Sequence, residues 1–438
     1  MIVLKFGGRT IGTAEGVSRC LDLIAKRAGE SPLVVVSAHG NTTDMLVDAA
    51  SRALKGEIKS GAIRRYHEEL ADDLSVPRTA IDPLLTRLET LLHGINLVKE
   101  LTVRTMDNVM SFGERLSSRI IAGALNARGM KASAINSYDA GMLTDSAFGN
   151  AKPLPGMEKA IAAAIGSVEG IPVVTGFLGK NDQGEITTLG RSGSDYTATI
   201  FAAAVKAKEV VIYKAVDGVM TADPGIEPGA RNIPKLSFDE ASELAYFGAE
   251  VLHPATLIPA IRHGIPVRVA NVMRHDDPGT VIVAEPVLTK SLAKSIAYKE
   301  DVTLIHLESE RFHSVPEILN SALAVLKDHG VIAHMIMTSE AGISLITQSG
   351  LSERARNSAC EGLKGFASVR CEDKMAVVCV VGDELRGNPK SIGRIFTALA
   401  DAGVCSRAIT KSASEINVAF LVKDSEIANA VKSLHSIL

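Results

Sequence analysis

Short hydrophobic runs rich in β-branched residues alternate with longer amphipathic stretches over about the first 280 residues. The short runs predict buried strands, and the stretches with apolar residues at helical spacing predict helices. The predicted strands are 2–6, 33–37, 171–178, 210–213 and 267–269, and the predicted helices are 15–28, 102–128 and 197–207. Such alternation is typical of an α/β fold with an open, largely parallel sheet sandwiched by helices. Residues 45–110 carry no strand signal and are predicted to form a helical insertion.

A weak internal repeat follows a change of composition near Pro286. Asp328-His329-Gly330-Val331 recurs 73 positions later as Asp401-Ala402-Gly403-Val404. Each copy ends an amphipathic helix that lies between an apolar strand and a strand–turn–strand segment. The helices are 315–328 and 392–401, the strands are 302–307, 343–347, 376–381 and 416–422, and the turns are at Ser339 and Ser412. Two βαββ-type units of about 70 residues predict a tandem α+β module; the alternative is chance similarity of two short α/β stretches.

Composition narrows the class of protein. The 438 residues carry 47 Lys and Arg against 50 Asp and Glu, a net charge of −3, which gives no electrostatic reason to expect nucleic acid or a membrane surface as a partner. Hydrophobic residues make up 46% of the chain, yet there is no Trp, so the core is expected to be mostly aliphatic. No apolar run approaches the roughly 18 residues of a membrane helix. A cytoplasmic location is therefore expected.

The five cysteines are expected to be buried, reduced thiols. They are Cys20, Cys360, Cys371, Cys379 and Cys405. None lies in a C-x-x-C pair, and their odd number argues against a secreted disulfide framework and against a structural zinc site.

The first candidate site is Lys5-Phe6-Gly7-Gly8, a glycine turn between a predicted strand and a predicted helix. Glycines let backbone N–H groups approach a phosphate closely, and Lys5 supplies a cation beside them. The alternative is a purely structural turn.

A second glycine-rich loop, Leu189-Gly190-Arg191-Ser192-Gly193-Ser194-Asp195, leads into a predicted helix. Amides at a helix N-terminus favour an anion, and Arg191 can bind a carboxylate with two parallel hydrogen bonds. The alternative makes Ser194 an N-cap and Asp195 a first-turn carboxylate.

Two further segments carry polar residues. Glu114 follows Phe112-Gly113 within a predicted helix, where a solvated charge is the usual meaning of a lone glutamate. The loop from Ser37 to Thr43 follows a buried strand, and ligands bind beyond the carboxyl ends of such strands. Neither a P-loop nor a dinucleotide-binding fingerprint is present. Two phosphate-compatible loops and an arginine, without a nucleophilic triad, favour phosphoryl transfer.

Taken together, these motifs resemble those of the aspartate kinase family. The segments that match in order and spacing are Lys5-Phe6-Gly7-Gly8, Phe112-Gly113-Glu114, Thr188-Leu189-Gly190-Arg191 with Gly193-Ser194-Asp195, Thr221-Ala222-Asp223-Pro224, and Phe247-Gly248-Ala249 with Val251-Leu252-His253-Pro254. The resemblance implies an amino-acid-kinase-type catalytic domain over 1–285 and two ferredoxin-like ACT modules over 298–370 and 371–438. The implied reaction transfers the ATP γ-phosphoryl group to the β-carboxylate of L-aspartate, the first step of lysine, threonine and methionine biosynthesis.

The resemblance also implies residue roles. Lys5 would neutralise charge between the attacking carboxylate and the γ-phosphate, and Asp195 would organise that lysine and the metal-bound phosphates. The aspartate-binding positions are Thr43, Glu114, Arg191 and Ser194, with Arg191 on the α-carboxylate and Glu114 on the α-ammonium group. The nucleotide-binding positions are Lys5, Gly7, Gly8, Ser37, Tyr213, Lys214, Met220, Asp223 and Pro224. Mg²⁺ would be bound mainly through the ATP phosphates.

Four residues depart from the family pattern. Ser192 stands at a usual glycine, and Arg9 at a usual Ser or Thr. Gly225 and Glu250 stand where arginine and lysine are common, which removes two cations expected near ATP. Arg231 or Lys214 could substitute for them.

Two alternatives remain at this stage. One is another amino-acid kinase of the glutamate type, and the other is a non-catalytic amino-acid sensor with a decayed kinase domain. The ACT resemblance further implies a homodimer or higher oligomer and lysine or threonine as effectors. Inhibition by either is expected to be weak or altered. One reason is that residues 309–317 lack the glycine that ACT modules commonly place before the helix. The other reason is that His334 stands where lysine-sensitive relatives carry an aspartate.

Overall fold

The computed structural model describes residues 1–248, 252–274, 277–308, 315–340 and 342–438, which form two compact units. The first unit comprises 1–219, 232–242 and the described residues of 252–287. The second comprises 220–231, 243–248 and the described residues from 288 to the C-terminus. Two segments that the sequence prediction placed in the catalytic domain therefore pack with the C-terminal residues.

The first unit contains ten strands and nine helices among its described residues, with the last turn of α8 passing into the second unit. The strands are β1 (Ile2–Phe6), β2 (Pro32–Val36), β3 (Ala132–Ile135), β4 (Ile171–Thr175), β5 (Leu178–Lys180), β6 (Ile186–Thr188), β7 (Val210–Lys214), β8 (Lys235–Ser237), β9 (Val267–Asn271) and β10 (Thr280–Val283). The helices are α1 (Ala14–Lys26), α2 (Thr42–Leu54), α3 (Gly61–Asp73), α4 (Asp82–Val98), α5 (Val103–Ala127), α6 (Glu158–Gly166), α7 (Gly193–Ala204), α8 (Phe238–Tyr246) and α9 (Pro254–His263).

Eight of these strands form one sheet in the order β3-β4-β2-β1-β7-β9-β10-β8. Every pair in it is parallel except β9 with β10, which confirms the largely parallel sheet. Strands β1 and β2 are buried along their whole length, as expected for central strands covered on both faces. Their parallel pairing, from Ile2 opposite Pro32 to Phe6 opposite Val36, brings the loops that follow them to one edge of the sheet.

Helices α2, α3 and α4 and the start of α5 lie in the segment 45–110, for which the sequence predicts a helical insertion. The predicted strand 171–178 is instead divided, because the chain turns after Thr175. Phe177 has a positive φ of 66°, which ends the extended conformation, and β5 begins at the next residue.

The second unit contains one antiparallel sheet of six strands in the order β12-β13-β11-β14-β16-β15. Its strands are β11 (Ser295–Glu308), β12 (Ala333–Thr338), β13 (Gly342–Thr347), β14 (Ser368–Val381), β15 (Ala408–Thr410) and β16 (Asn417–Lys423), and its helices are α10 (Val315–Asp328), α11 (Glu353–Leu363), α12 (Pro389–Asp401) and α13 (Ile427–His435). Each repeat is thus βαββα, which confirms the tandem α+β prediction and adds a second helix to each copy.

The two long strands β11 and β14 belong to both repeats. Residues 295–299 of β11 pair with 377–381 of β14, and residues 304–308 pair with 368–372. The predicted division between modules at 370/371 therefore falls within β14.

The cysteine prediction needs correction. Cys20 and Cys379 are buried free thiols as predicted, and burial raises the pKa of Cys20 to about 12. Cys405 is exposed, and Cys360 on α11 forms a disulfide with Cys371 on β14. Sequence spacing gave no sign of this pairing, which arises because α11 packs against β14.

None of the helices in the described part of the chain has the length and hydropathy of a membrane-spanning segment.

Candidate active site

A cavity of about 330 Å³ in the first unit lies where the sheet edge meets the start of α7. It is lined by Lys5, Gly8, Arg9, Ser37, Ala38, Gly40, Thr43, Glu114, Phe177, Gly190, Ser192, Gly193, Ser194 and Asp195. These residues come from the end of β1 and the loop after it, from the loops after β2 and β4, from the first turn of α2, from α5 and from the second glycine loop. The structure therefore assembles most of the predicted catalytic and aspartate-binding residues in one place.

Lys5 and Asp195 form a buried ion pair at the cavity. Lys5 Nζ lies 2.6 Å from Asp195 Oδ1, and the two side chains are only 7% and 5% exposed. Lys214 Nζ lies 3.4 Å from the other oxygen, Oδ2. Burial alone would raise the pKa of Asp195, but the two ammonium groups outweigh it and lower that pKa. The carboxylate is therefore charged at neutral pH and shared by two cations.

Glu114 is buried in α5 with one oxygen bound and the other unpartnered. Its Oε1 accepts a hydrogen bond of 3.0 Å from the backbone N–H of Ala38. Its Oε2 has no hydrogen-bond partner among the described residues. Gly113 permits this contact, because a Cβ there would lie 2.7 Å from the Ala38 methyl group. Glu114 is therefore not the solvated helix charge that a lone glutamate usually represents.

Burial raises the pKa of Glu114 to about 8, against the partial opposing effect of the Ala38 hydrogen bond. In the free protein at neutral pH the side chain is therefore mostly protonated. A cation placed against Oε2 would favour its ionised form.

Asp107, two helical turns before Glu114 on α5, holds Thr188, the residue that precedes the second glycine loop. Its carboxylate accepts hydrogen bonds of 2.9 Å from Gly149 N, Thr188 N and Thr188 Oγ1. Sequence reasoning missed this residue. The seven-residue spacing from Glu114, which places both carboxylates on one face of a helix, was the available signal.

Within the second glycine loop, the residue that precedes α7 has a left-handed backbone conformation. Ser192 is the N-cap residue with φ 59°, and its side chain makes no capping hydrogen bond. Ser194 lies in the first turn of the helix, so the alternative in which it is the N-cap is wrong. Asp195 is in the first turn as that alternative proposed, but its carboxylate faces Lys5.

Phe177 is a cavity residue that sequence reasoning missed. The backbone N–H of Leu178 donates to the Gly176 carbonyl oxygen at 2.7 Å. This hydrogen bond closes a tight three-residue turn whose central residue, Phe177, has a positive φ. Thr197 Oγ1 accepts from Phe177 N, and Leu189 N donates to Phe177 O. A phenylalanine in this conformation has no sequence signature, since such positions usually carry glycine.

The remaining predicted residues fall into four groups, of which the last belongs to the second unit. Ser37, Thr43 and Gly8 line the cavity, and a Cβ added to Gly7 would lie 3.6 Å from Lys5 Nζ. Arg191 is exposed between Gly190 and Ser192, which both line the cavity. The ring of Tyr213 is buried against Phe6, with ring centroids 5.0 Å apart, so its backbone rather than its ring remains for a ligand.

Met220, Asp223 and Pro224 belong to the second unit. The Asp223 carboxylate accepts hydrogen bonds of 2.8 Å from Gly225 N and from Tyr298 Oη. These two contacts hold a turn, and the nucleotide role of this segment stays a prediction.

Known proteins match this chain along nearly its whole length. The model of the Amino acid kinase family matches residues 1–271, and an ACT domain model matches 378–438. Aspartokinase 2, chloroplastic, of Arabidopsis thaliana is 36% identical over 99% of this chain and 83% of its own length. Lysine-sensitive aspartokinase 3 of Escherichia coli is 31% identical over 100% of this chain and 99% of its own.

Solved structures resemble the chain to a similar extent. Escherichia coli aspartokinase III in complex with aspartate and ADP has a TM-score of 0.81 and 28% identity, covering 100% of this chain and 99% of that one. Aspartate kinase of Clostridium acetobutylicum has a TM-score of 0.84 and 26% identity, covering 100% of both chains.

We expect Ser192→Gly to stabilise the protein. A left-handed backbone costs an L-residue roughly 1–2 kcal/mol, and the greater freedom of glycine in the unfolded chain offsets about half of that. The free energy of unfolding, measured with urea, should rise by about 0.5–1 kcal/mol. Ser60→Gly is the matched control, because Ser60 is the N-cap of α3, also makes no capping hydrogen bond, and has φ −93°. Equal losses of stability in both variants would contradict the strain at Ser192.

Proposed function

Because the chain belongs to the amino acid kinase family and is an aspartokinase, we propose that its cavity transfers the γ-phosphoryl group of ATP to the β-carboxylate of L-aspartate, giving 4-phospho-L-aspartate. The observation that carries the assignment to this cavity is the buried Lys5–Asp195 pair beside Glu114 with its unpartnered Oε2. The related enzyme solved with aspartate and ADP supports the same pair of ligands.

A binding site for aspartate needs one negatively charged side chain for the α-ammonium group and at least one positively charged side chain for the carboxylates. Glu114 Oε2 would bind the α-ammonium group, for which a buried carboxyl without a partner is suited. Arg191 would bind the α-carboxylate with its planar fork. Thr43 and Ser194 line the same cavity and would bind the remaining oxygens. The β-carboxylate would then point towards Lys5.

The transfer itself needs charge stabilisation more than proton transfer. A free carboxylate with a pKa near 4 is already ionised at neutral pH, so no general base is required. His39, which lies between the cavity residues Ala38 and Gly40, is buried, and burial lowers its pKa to about 3. One β-carboxylate oxygen would attack the γ-phosphorus while the bond from that phosphorus to the β-phosphate oxygen breaks. Lys5, held by Asp195, would stabilise the charge that moves between them.

The nucleotide would approach from the first glycine turn. Gly7, Gly8 and Ser37 would border the phosphates, and Tyr213, Lys214, Met220, Asp223 and Pro224 the adenosine. Among the described residues no group of three or more His, Cys, Asp or Glu side chains is arranged to hold a metal ion. We propose that Mg²⁺ arrives bound to the ATP phosphates, whose charge it neutralises.

We propose that the second unit binds an effector amino acid. We also propose that the protein assembles as a homodimer and has a cytoplasmic location.

A decayed, sensor-only kinase domain is not favoured, because Lys5, Glu114 and Asp195 come together in one cavity. A coupled assay with ATP, Mg²⁺ and aspartate tests the reaction, with glutamate as the control acceptor. Phosphorylation of glutamate in place of aspartate would overturn the assignment.

We expect Lys5→Ala to lower kcat by about 10²–10³-fold with little change in the KM for aspartate. The reason is that a cation directed at developing charge acts mainly in the transition state. Lys26→Ala, which removes an exposed lysine of α1, is the control. Circular dichroism should confirm that both variants fold. A near-native kcat with a raised KM would instead make Lys5 a binding residue.

We expect aspartate binding near pH 7 to release a proton from Glu114. With a pKa of about 8 the free side chain is protonated below that pH, and a bound ammonium group favours the carboxylate, so the proton must leave. Calorimetric titrations of aspartate in buffers of different ionisation enthalpy should show release approaching one proton at pH 7 and little at pH 9. The KM for aspartate should accordingly fall as pH rises from 6 to 8.

Glu114→Gln should abolish this release and flatten the pH profile of the KM, because an amide does not titrate. An unchanged release in Glu114→Gln would show that another group loses the proton.

We expect lysine and threonine to inhibit only weakly at pH 7.5. His334 is half-buried, its backbone carbonyl accepts a hydrogen bond of 2.7 Å from Tyr246 Oη, and burial and Lys299 lower its pKa below 6.5. A neutral imidazole holds an ammonium group poorly. His334→Asp should therefore increase inhibition by lysine, whereas His329→Asp, at an exposed position of the same module, should not.

Strong inhibition of the unmodified chain by micromolar lysine would refute this expectation. The other reason for it, the stretch without glycine, has residues 309–314 outside the described part of the chain.

A further inference from the structure

Arg9 lines the cavity, and its guanidinium group is not paired with a carboxylate among the described residues. It is exposed and lines the same cavity as Lys5 and Asp195. Among the described residues it makes no ion pair and its side chain forms no hydrogen bond, whereas the Lys5 ammonium lies against Asp195. An arginine that lines an active-site cavity without a carboxylate partner is available to an anionic ligand.

The backbone that carries Arg9 is fixed, although its side chain is free. Thr10 donates to the Gly7 carbonyl from both its amide, at 3.0 Å, and its hydroxyl, at 2.6 Å. Gly40 N donates to Gly8 O at 3.0 Å. A Cβ at Gly8 would lie 2.5 Å from the Ala38 carbonyl oxygen, so the turn packs closely on the neighbouring loop. These contacts hold the Arg9 Cα at the edge of the cavity.

The two lysines near the cavity are already paired with a carboxylate, so a further cation would strengthen the attraction of an anionic ligand. Lys5 and Lys214 both lie against the one carboxylate of Asp195, so two positive charges are partly neutralised by one negative charge. A polyphosphate carries several negative charges close together. Cations that are not committed to protein carboxylates attract it most effectively.

Lys214 and Arg231 are the two cations that could replace the arginine and lysine common in relatives at positions 225 and 250. Lys214 contacts Asp195, and Arg231 is an exposed residue of the second unit whose backbone N–H donates to Thr221 Oγ1. Glu250 itself lies outside the described residues. Arg9 is the remaining candidate in the first unit that lines the cavity.

We propose that Arg9 is a phosphate-binding residue of this chain, which contacts the polyphosphate of ATP with its guanidinium group. The proposal rests on the proposed function of the cavity. It assigns to the first glycine turn a side-chain contact in addition to its backbone amides.

The test compares Arg9→Ala and Arg9→Lys with the unmodified chain. Arg65→Ala is the matched control, because Arg65 is an exposed arginine of α3 that does not line the cavity. Calorimetry measures the binding of adenylyl imidodiphosphate, a non-hydrolysable ATP analogue, and of adenosine, which lacks phosphate. Steady-state kinetics measures the KM values for ATP and aspartate.

We expect the Kd for the analogue to rise about tenfold in Arg9→Ala, because an exposed, charge-assisted contact is worth less than a buried one. Arg9→Lys should raise it by about threefold, since the charge remains but the fork is lost. Adenosine binding, the KM for aspartate and every Arg65→Ala value should stay within about twofold. Higher salt should weaken analogue binding less in Arg9→Ala than in the unmodified chain.

An unchanged Kd for the analogue in Arg9→Ala would overturn the proposal, as would a rise in the aspartate KM alone. The latter outcome would place Arg9 on the acceptor carboxylate. If the chain binds the analogue through Arg9 but does not phosphorylate aspartate, the phosphate contact stands and the proposed function fails. If aspartate is phosphorylated normally and Arg9 has no effect, only the contact is refuted.

Discussion

The buried ion pair between Lys5 and Asp195 is the interaction on which the geometry of the proposed active site depends. Taking both charges out of water usually costs about as much free energy as the pair returns, so stability alone does not explain it. The pair joins the end of β1 to the first turn of α7, and Lys214 from β7 approaches the same carboxylate. Because three elements meet there, the pair fixes the distance between the first glycine turn and the second glycine loop. In the proposed reaction, Lys5 and Lys214 would then stabilise the charge of the transferred phosphoryl group.

Close packing of small residues makes that arrangement possible. A Cβ at Gly113 would lie 2.7 Å from the Ala38 methyl, one at Gly8 would lie 2.5 Å from the Ala38 carbonyl, and one at Gly176 would lie 2.5 Å from Ser194 Cβ. Each distance is shorter than ordinary van der Waals contact, so a larger residue would push two loops apart. Gly113 and Gly176 therefore let α5 and α7 approach the sheet edge.

Much of the fold could be predicted because its signals are local. Continuous β-branched runs gave β1, β2 and β7, and the repeat at Gly330 and Gly403 gave the tandem module. The cavity residues Lys5, Gly8 and Asp195 stand in glycine-rich motifs that the residues themselves single out, whereas the roles expected of Thr43 and Glu114 came only from the family resemblance. Asp107, Phe177 and the Cys360–Cys371 disulfide could not be predicted in this way. Each depends on contacts between residues distant in sequence or on a backbone conformation that the residue type disfavours.

The C-terminal repeat shows why sequence symmetry alone does not define separate modules. Strands β11 and β14 are each 14 residues long, and each pairs with the other along both halves. One half of β14 therefore completes the sheet of the first repeat while the other half belongs to the second. Neither repeat can bury its own sheet edge without the partner strand, so the two should unfold together. A ligand that prefers one arrangement of the first repeat would consequently shift the second as well, through strands common to both.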